Sequence, residues 1–162
     1  MVTGGAGYIG SHVARLLTQA GTEVIVVDDL STGKESRISG LTSYQMDLSD
    51  ASLVSDLKQL LTKHKIDSVI HLAALKQVGA SVENPEEYFN KNLGGQANLL
   101  LAMRSAGVKK LVFSSSAAAY GMPDVELVSE DETASPITPT GKQNSLASGW
   151  LLTQKQPGVC VT

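Results

Sequence analysis

Thr3-Gly4-Gly5-Ala6-Gly7-Tyr8-Ile9-Gly10-Ser11-His12 is the stretch on which the fold turns. Gly4, Gly7 and Gly10 form a G-x-x-G-x-x-G pattern, with a further glycine at Gly5. Ahead of it Val2 and Thr3 read as a strand end. Behind it Ile9, Val13, Leu16, Leu17 and Ala20 recur at helical spacing. A glycine cluster between a strand and a helix supplies a tight turn, lets backbone approach a pyrophosphate, and allows the helix to pack closely on the sheet. Free N–H groups of the first helical turn then face the anion.

Working outward, Gly21 closes the helix, and Glu23 to Asp29 is a short apolar run ending in two acids, the pattern of a strand buried on both faces of a parallel sheet. Asp28 lies 18 residues beyond Gly10. A carboxylate there accepts both hydroxyls of an adenosine ribose and repels a 2′-phosphate, which favours NAD over NADP. The same residues admit a plainer account, in which the glycines make an ordinary turn and Asp28 is a loop-end acid.

Further along, Ser31 to Gly40 reads as loop and Leu41 to Met46 as a weak strand. Asp50 caps a helix with one apolar stripe, Leu53, Val54, Leu57, Leu60 and Leu61. Ile66 to Leu72 is a strand, followed by a loop to Pro85 and a long helix over Glu86 to Ala106. Lys109 to Phe113 is a fifth strand, the stretch to Thr140 is loop, a helix covers Lys142 to Gln154, and Val159 to Thr162 begins a sixth strand. Strands alternating with helices predict an α/β chain: a Rossmann-like, doubly wound parallel sheet with helices on both faces and right-handed crossovers.

With 162 residues, 42% hydrophobic and 18% charged, the chain suits one globular domain and excludes a disordered tail or coiled coil. A net charge of −3 gives no general footprint for nucleic acid or anionic lipid. The single Cys160 rules out an intrachain disulfide and points to the cytoplasm. No apolar stretch approaches the roughly 20 residues of a membrane span, and the N-terminus does not read as a signal peptide. His12, His64 and His71 lack metal-ligand spacing, so no metal is expected. No G-x-S-x-G elbow surrounds Ser116. Cys160, Trp150 and Leu151 read as core.

Three segments carry a resemblance. The glycine stretch resembles the signature of extended short-chain dehydrogenases/reductases. Ile70-His71-Leu72-Ala73-Ala74-Leu75-Lys76-Gln77-Val78-Gly79-Ala80-Ser81-Val82 and Phe113-Ser114-Ser115-Ser116-Ala117-Ala118-Ala119-Tyr120-Gly121 resemble segments of the UDP-glucose 4-epimerase family. The likeness covers Val2 to about Pro139, roughly the first half of a family member. It implies that residues 1–162 are an NAD-binding domain, truncated, with the C-terminal nucleotide-sugar domain absent. Tyr8 and Ile9 would offer backbone to the pyrophosphate. Asp28, Asp29, Leu30, Ser31, Thr32 and Gly33 would surround the adenosine ribose, and Asp47 with Leu48 would meet the adenine. Leu72, Ala73, Ala74, Leu75 and Lys76 would line the cofactor, with Asn92 beside them and Ser116 near the nicotinamide and sugar. For Asp47, Lys76 and Asn92 structural roles stand alongside: a helix-start carboxylate, a solvated loop charge, and a polar residue satisfied between helix and loop.

The resemblance also implies a chemistry. A tyrosine removes the 4-hydroxyl proton of a UDP-sugar while hydride passes to NAD, and a lysine four residues later favours the phenolate, whose free pKa is about 10. Here the four tyrosines, Tyr8, Tyr44, Tyr88 and Tyr120, have His12, Leu48, Asn92 and Asp124 at that spacing. Thr140 and Asn144 occupy the expected tyrosine and lysine positions, and neither supplies a phenolate or a charge. Ser116 remains as a hydrogen-bonding group for a sugar hydroxyl. The first strand, reduced to Val2 and Thr3, thins the middle of the sheet and should weaken folding and cofactor affinity together. The reading is an NAD-binding domain without autonomous turnover. The alternatives are a fragment of another nucleotide-sugar epimerase or 4,6-dehydratase, and a non-catalytic module dimerising through Glu86 to Ala106 and Lys142 to Gln154.

Overall fold

The first strand, β1 (Val2–Thr3), has two residues, yet it pairs on both sides. Val2 lies opposite Val26 and Ile70, and Thr3 opposite Val27 and His71. Hydrogen bonds from Ile70 N to Met1 O (2.9 Å) and from Gly4 N to Val27 O (2.8 Å) carry the ladder one residue further each way.

The structure is a computed structural model that describes residues 1–153 and 159–161, without the side chains beyond residue 151. The helix end expected at Gln154, the strand end at Thr162 and the core assignment of Cys160 lie outside the described residues and side chains. The strands β2 (Ile25–Asp28), β3 (Thr42–Gln45), β4 (Ser68–His71), β5 (Lys110–Phe113) and β6 (Val159–Val161) join β1 in one sheet, ordered β3-β2-β1-β4-β5-β6. Every pairing is parallel. This is the Rossmann-like, doubly wound order, and the chain reverses direction across the sheet between β1 and β4.

Period-2 side-chain alternation divides the core in two. Ile25 and Val27 face one side with α2 (Val54–Lys63), α5 (Gly95–Ala106) and α6 (Pro139–Thr153), through Leu57, Leu61, Leu99, Met103 and Leu151. Val24 and Val26 face the other with α1 (Tyr8–Gln19), through Ala14, Val13 and Leu17. Asp50 caps the entry to α2 as expected, accepting from Ser52 N at 2.9 Å.

The structure adds four local elements to the sequence reading. A 3-10 turn, Glu35–Ile38, lies within the expected loop because Ile38 is buried under the α1 face. Helix α3 (Val78–Glu83) occupies the loop before Pro85, with the buried Ser81 hydroxyl returned to Val78 O at 2.7 Å. The long helix is interrupted: α4 (Pro85–Phe89) runs into a π turn, Asn90–Gly94, before α5. A further 3-10 turn, Ala117–Tyr120, is capped by Ser116. Helix α6 starts at Pro139, three residues before Lys142, as suits a proline in a first turn. Trp150 corrects an expectation: it is 39% exposed while Leu151 is 1% exposed. Successive helical residues point about 100° apart, so one of the two faces the sheet. Among the described residues no helix is long and apolar enough to cross a membrane.

Candidate functional site

A cleft of about 480 Å³ opens where β1, β2, β3 and β4 end, at the reversal point of the sheet. Open parallel sheets place ligands there, because helix N-termini and connecting loops converge outside the carboxyl ends of the strands.

Its floor is the glycine turn. Gly4 takes φ +69°, and a Cβ on it would lie 2.6 Å from Ala73 N. A Cβ on Gly10 would run into the Gly4 carbonyl oxygen. The chain therefore needs both positions bare, one for the approach of the β4 loop and one for seating α1 on the turn. The first intrahelical bond of α1 runs from Ser11 N to Gly7 O (3.1 Å). The amides of Tyr8, Ile9 and Gly10 precede it, with no side-chain cap and no acidic residue in that turn. They line the cleft. This uncapped, unobstructed cradle fits the pyrophosphate of a dinucleotide.

Asp28, 8% exposed at the end of β2, fastens the turn. Its Oδ2 accepts from Ala6 N and its Oδ1 from Leu30 N, both at 2.9 Å. Carboxylate oxygens carry further acceptor capacity, so the residue can secure the loop and still meet a ribose. Leu30 leaves the strand in the left-handed region, φ 61°, and its side chain packs towards the α1 core.

Beside Asp28, an ammonium bridges two strand ends. Lys91 Nζ lies 2.6 Å from Asp47 Oδ2 and 3.6 Å from Asp29 Oδ2. Ser49 adds N–H and hydroxyl bonds to Asp47 Oδ1, at 2.9 and 2.7 Å. Burial pulls the Asp47 carboxyl upward, but hydrogen bonds from Lys91 and Ser49 outweigh it and hold the group below the usual carboxylate range. The Lys91 pKa is raised, chiefly by its hydrogen bond to Asp47. The pair is ionised at neutral pH.

The β4 side carries a different chemistry. His71 Nδ1 lies 2.6 Å from Thr3 Oγ1, and both residues are buried. Burial, with the charge of Lys76 adding to it, pushes the His71 pKa down to about 4, so the imidazole is neutral at pH 7. Lys76 stands at the rim, where desolvation by the cleft wall lowers its own pKa. Asn92, on the π turn, clamps the loop between them. Its Oδ1 accepts from Leu75 N (2.8 Å), and its Nδ2 donates to Leu75 O (3.0 Å) and to Gln143 Oε1 (2.9 Å).

Ser116 lies apart from the cleft lining and accepts from Ala118 N at 3.2 Å. Thr140 and Asn144 share a face of α6 and are 2% and 8% exposed, and the Asn144 amide donates back to Thr140 O at 2.9 Å. Lys142 is exposed. Among the described residues the Thr140 hydroxyl, the Gln143 Nε2 and both ends of the Gln96 amide are buried without a hydrogen-bond partner.

The cleft gathers Gly4, Gly7, Tyr8, Ile9, Gly10, Asp28, Asp29, Ser31, Thr32, Asp47, Leu48, Leu72, Ala73, Ala74, Leu75, Lys76 and Asn92. Gly33 lies behind Asp28, where a Cβ would press on Oδ1 at 2.7 Å. Sequence reasoning did not single out Lys91, His71 or Tyr88 as part of this cleft. A basic residue beside Asn92 was visible, but its two acidic partners sit far away in the chain.

The chain matches the model of the NAD dependent epimerase/dehydratase family over residues 1–145. It is 45% identical over 142 residues to a UDP-glucose 4-epimerase of Streptomyces lividans, covering 87% of this chain and 43% of that protein. The fold is similar to the crystal structure of UDP-glucose 4-epimerase from Brucella ovis in complex with NAD (TM-score 0.88, 39% identity, 94% of this chain and 46% of that one). It is also similar to that of UDP-glucose 4-epimerase with UDP-glucose from Thermotoga maritima (TM-score 0.90, 34% identity, 99% and 53%). The chain spans less than half the length of the curated relatives it matches.

Proposed function

The chain belongs to the NAD dependent epimerase/dehydratase family, and on that premise we propose that residues 1–162 are an NAD-binding domain of the UDP-glucose 4-epimerase kind, without turnover of its own. The observation that carries the reading is the uncapped α1 terminus above a turn that tolerates no Cβ at Gly4 or Gly10. Tyr8 and Ile9 amides hold the pyrophosphate, Asp28 the adenosine ribose, Asp47 and Leu48 the adenine. The Asn92-clamped loop from Leu72 to Lys76 bounds the nicotinamide side. When bound, NAD supplies a hydride acceptor and donor. A cytoplasmic setting accompanies the reading, since a chain with one cysteine needs no oxidising compartment.

Inactivity follows from α6. A sugar hydroxyl gives up its proton to a group that can hold it, and Thr140 and Asn144 are neutral and buried, with the Asn144 amide spent on the Thr140 backbone carbonyl. Losing acid–base assistance costs about 10²- to 10⁴-fold in rate. Mass spectrometry of small molecules released from denatured protein, with fluorescence titration of the refilled cleft, tests both parts. NAD should be recovered or should bind in preference to NADP, and UDP-galactose should pass unchanged. Failure to bind either dinucleotide sinks the reading, and substantial conversion by the purified chain sinks the inactivity.

Self-association through the long helices is a second element of the proposal. Leu101 and Leu146 are 53% and 58% exposed on α5 and α6, apolar surface of the sort that subunit contact covers. Sedimentation equilibrium should give twice the chain mass; a monomer at high concentration excludes it.

A further inference from the structure

Three carboxylates converge at one end of the cleft: Asp28, Asp29 and Asp47. They are not equivalent. Asp28 receives two backbone N–H groups and is 8% exposed, so its position is fixed by the fold. Asp29 and Asp47 are 30% and 38% exposed at their side chains and share one ammonium, that of Lys91. Lys91 reaches them from the π turn, a separate element of the chain. Arg37, on the loop after β2, donates to the Ala6 carbonyl oxygen at 3.4 Å and does not line the cleft. Among the described residues the balance of charge at this end of the cleft is therefore three acids against one cation.

We propose that Lys91 is a specificity-determining residue: its ammonium, held between Asp29 and Asp47, sets how strongly the cleft discriminates against a dinucleotide phosphorylated on the adenosine 2′-hydroxyl. The inference deepens the NAD-binding reading and rests on it. An acid at the end of the second strand accepts ribose hydroxyls and repels a phosphate on the same sugar. That repulsion depends on the summed charge nearby, and a phosphate monoester brings about −1.5 to −2 at neutral pH. Lys91 cancels one of the acids. Among the described residues it is also the cation paired with Asp29, the residue following Asp28, so loss of the Asp29 charge leaves it bonded to Asp47 alone, with more of its positive charge available to a phosphate at this end of the cleft.

NADH and NADPH fluorescence titrations on the full chain at low salt test this with four variants: Lys91→Met, Lys91→Arg, Asp29→Asn and the Asp29→Asn/Lys91→Met double variant. Lys91→Met should weaken NADPH about five- to thirtyfold more than NADH, the scale of one partly solvated charge interaction, and the difference should shrink at high salt. Lys91→Arg keeps the charge and should restore the original ratio. Asp29→Asn should improve NADPH relative to NADH while Lys91 is present, and not in the double variant. An unchanged ratio in Lys91→Met, or an Asp29→Asn gain that survives loss of Lys91, overturns the inference and leaves NAD binding intact. If the unaltered chain binds neither reduced dinucleotide, the functional reading falls and takes this one with it.

Discussion

At the scale of the residue, the site depends on a few positions where either a side chain or a charge is excluded. Gly10→Ala places a methyl against the Gly4 carbonyl oxygen, and backbone on both sides leaves no flexible atom to yield. Overpacking of this kind costs about 1–3 kcal/mol, and dinucleotide binding should disappear with it. Gly79 provides the contrast, since a Cβ there meets nothing within 4 Å. Gly79→Ala should gain about 0.5–1 kcal/mol from lower unfolded-state entropy. Urea denaturation of the two variants reads both signs. His71 excludes a charge. Its pKa is about 4 in the folded chain against an ordinary 6.5, so between those values the unfolded chain binds a proton that the folded chain refuses. Stability then falls as pH drops through that window, by about 3 kcal/mol in total. His71→Asn should flatten this part of the profile in denaturation midpoints at pH 7 and 4.5, and an unchanged slope excludes the assignment. The glycines and Asp28 were legible in the sequence because their meaning is local, fixed by spacing along one strand–turn–helix unit. Lys91 was not, because Asp47 is 44 residues away and the pairing exists once β3 and the long helix are packed.

At the scale of the element, long periodic segments were readable and short ones were not. Helices α1 and α2 announce themselves by apolar stripes, and β2 by an unbroken apolar run. Helix α3 has six residues and one buried side chain, Ser81, too little for a period to show. The π turn is invisible for another reason: its residues, Asn90-Lys91-Asn92-Leu93-Gly94, suit an ordinary α-helix. What makes it matter is phase. The Gly95 N–H reaches back five residues to Asn90 O, which lets α5 keep Leu99, Ala102 and Met103 in the core while Lys91 and Asn92 face the cleft. Single π turns act as one-residue insertions in α-helices and collect at functional sites. Deleting Gly94 should restore α-helical phase and rotate Lys91 and Asn92 by about 100° relative to α5. Asn92 would then lose its clamp on Leu75, whose hydrogen bonds are worth about 1 kcal/mol each. Far-UV circular dichroism should hold while NADH affinity falls about tenfold or more. Retained affinity with retained helix content would show that the turn has no part in the site.

At the scale of the whole molecule, the two cores lie on opposite faces of one sheet and meet at its carboxyl edge, where the cleft is. One wall comes from α1 and the loop after β2, the other from the β4 loop and the long helix, and β3 closes the end through Asp47. A ligand spanning that edge ties segments belonging to different cores, and it can do so only in the folded chain. Linkage then requires that it stabilise the fold, by about 2.7 kcal/mol at a concentration 100 times its dissociation constant. For a chain of this size that corresponds to a rise of about 5–10 °C in melting temperature. The adenosine and pyrophosphate side offers a turn, uncapped amides and charged groups, whereas α6 offers the neutral, buried Thr140 and Asn144. ADP-ribose, which lacks nicotinamide, should therefore raise the melting temperature nearly as much as NAD does at equal saturation. UDP-glucose should not do so. A shift seen with NAD and absent with ADP-ribose would locate the binding energy on the nicotinamide side, and the glycine turn would lose its place as the anchor.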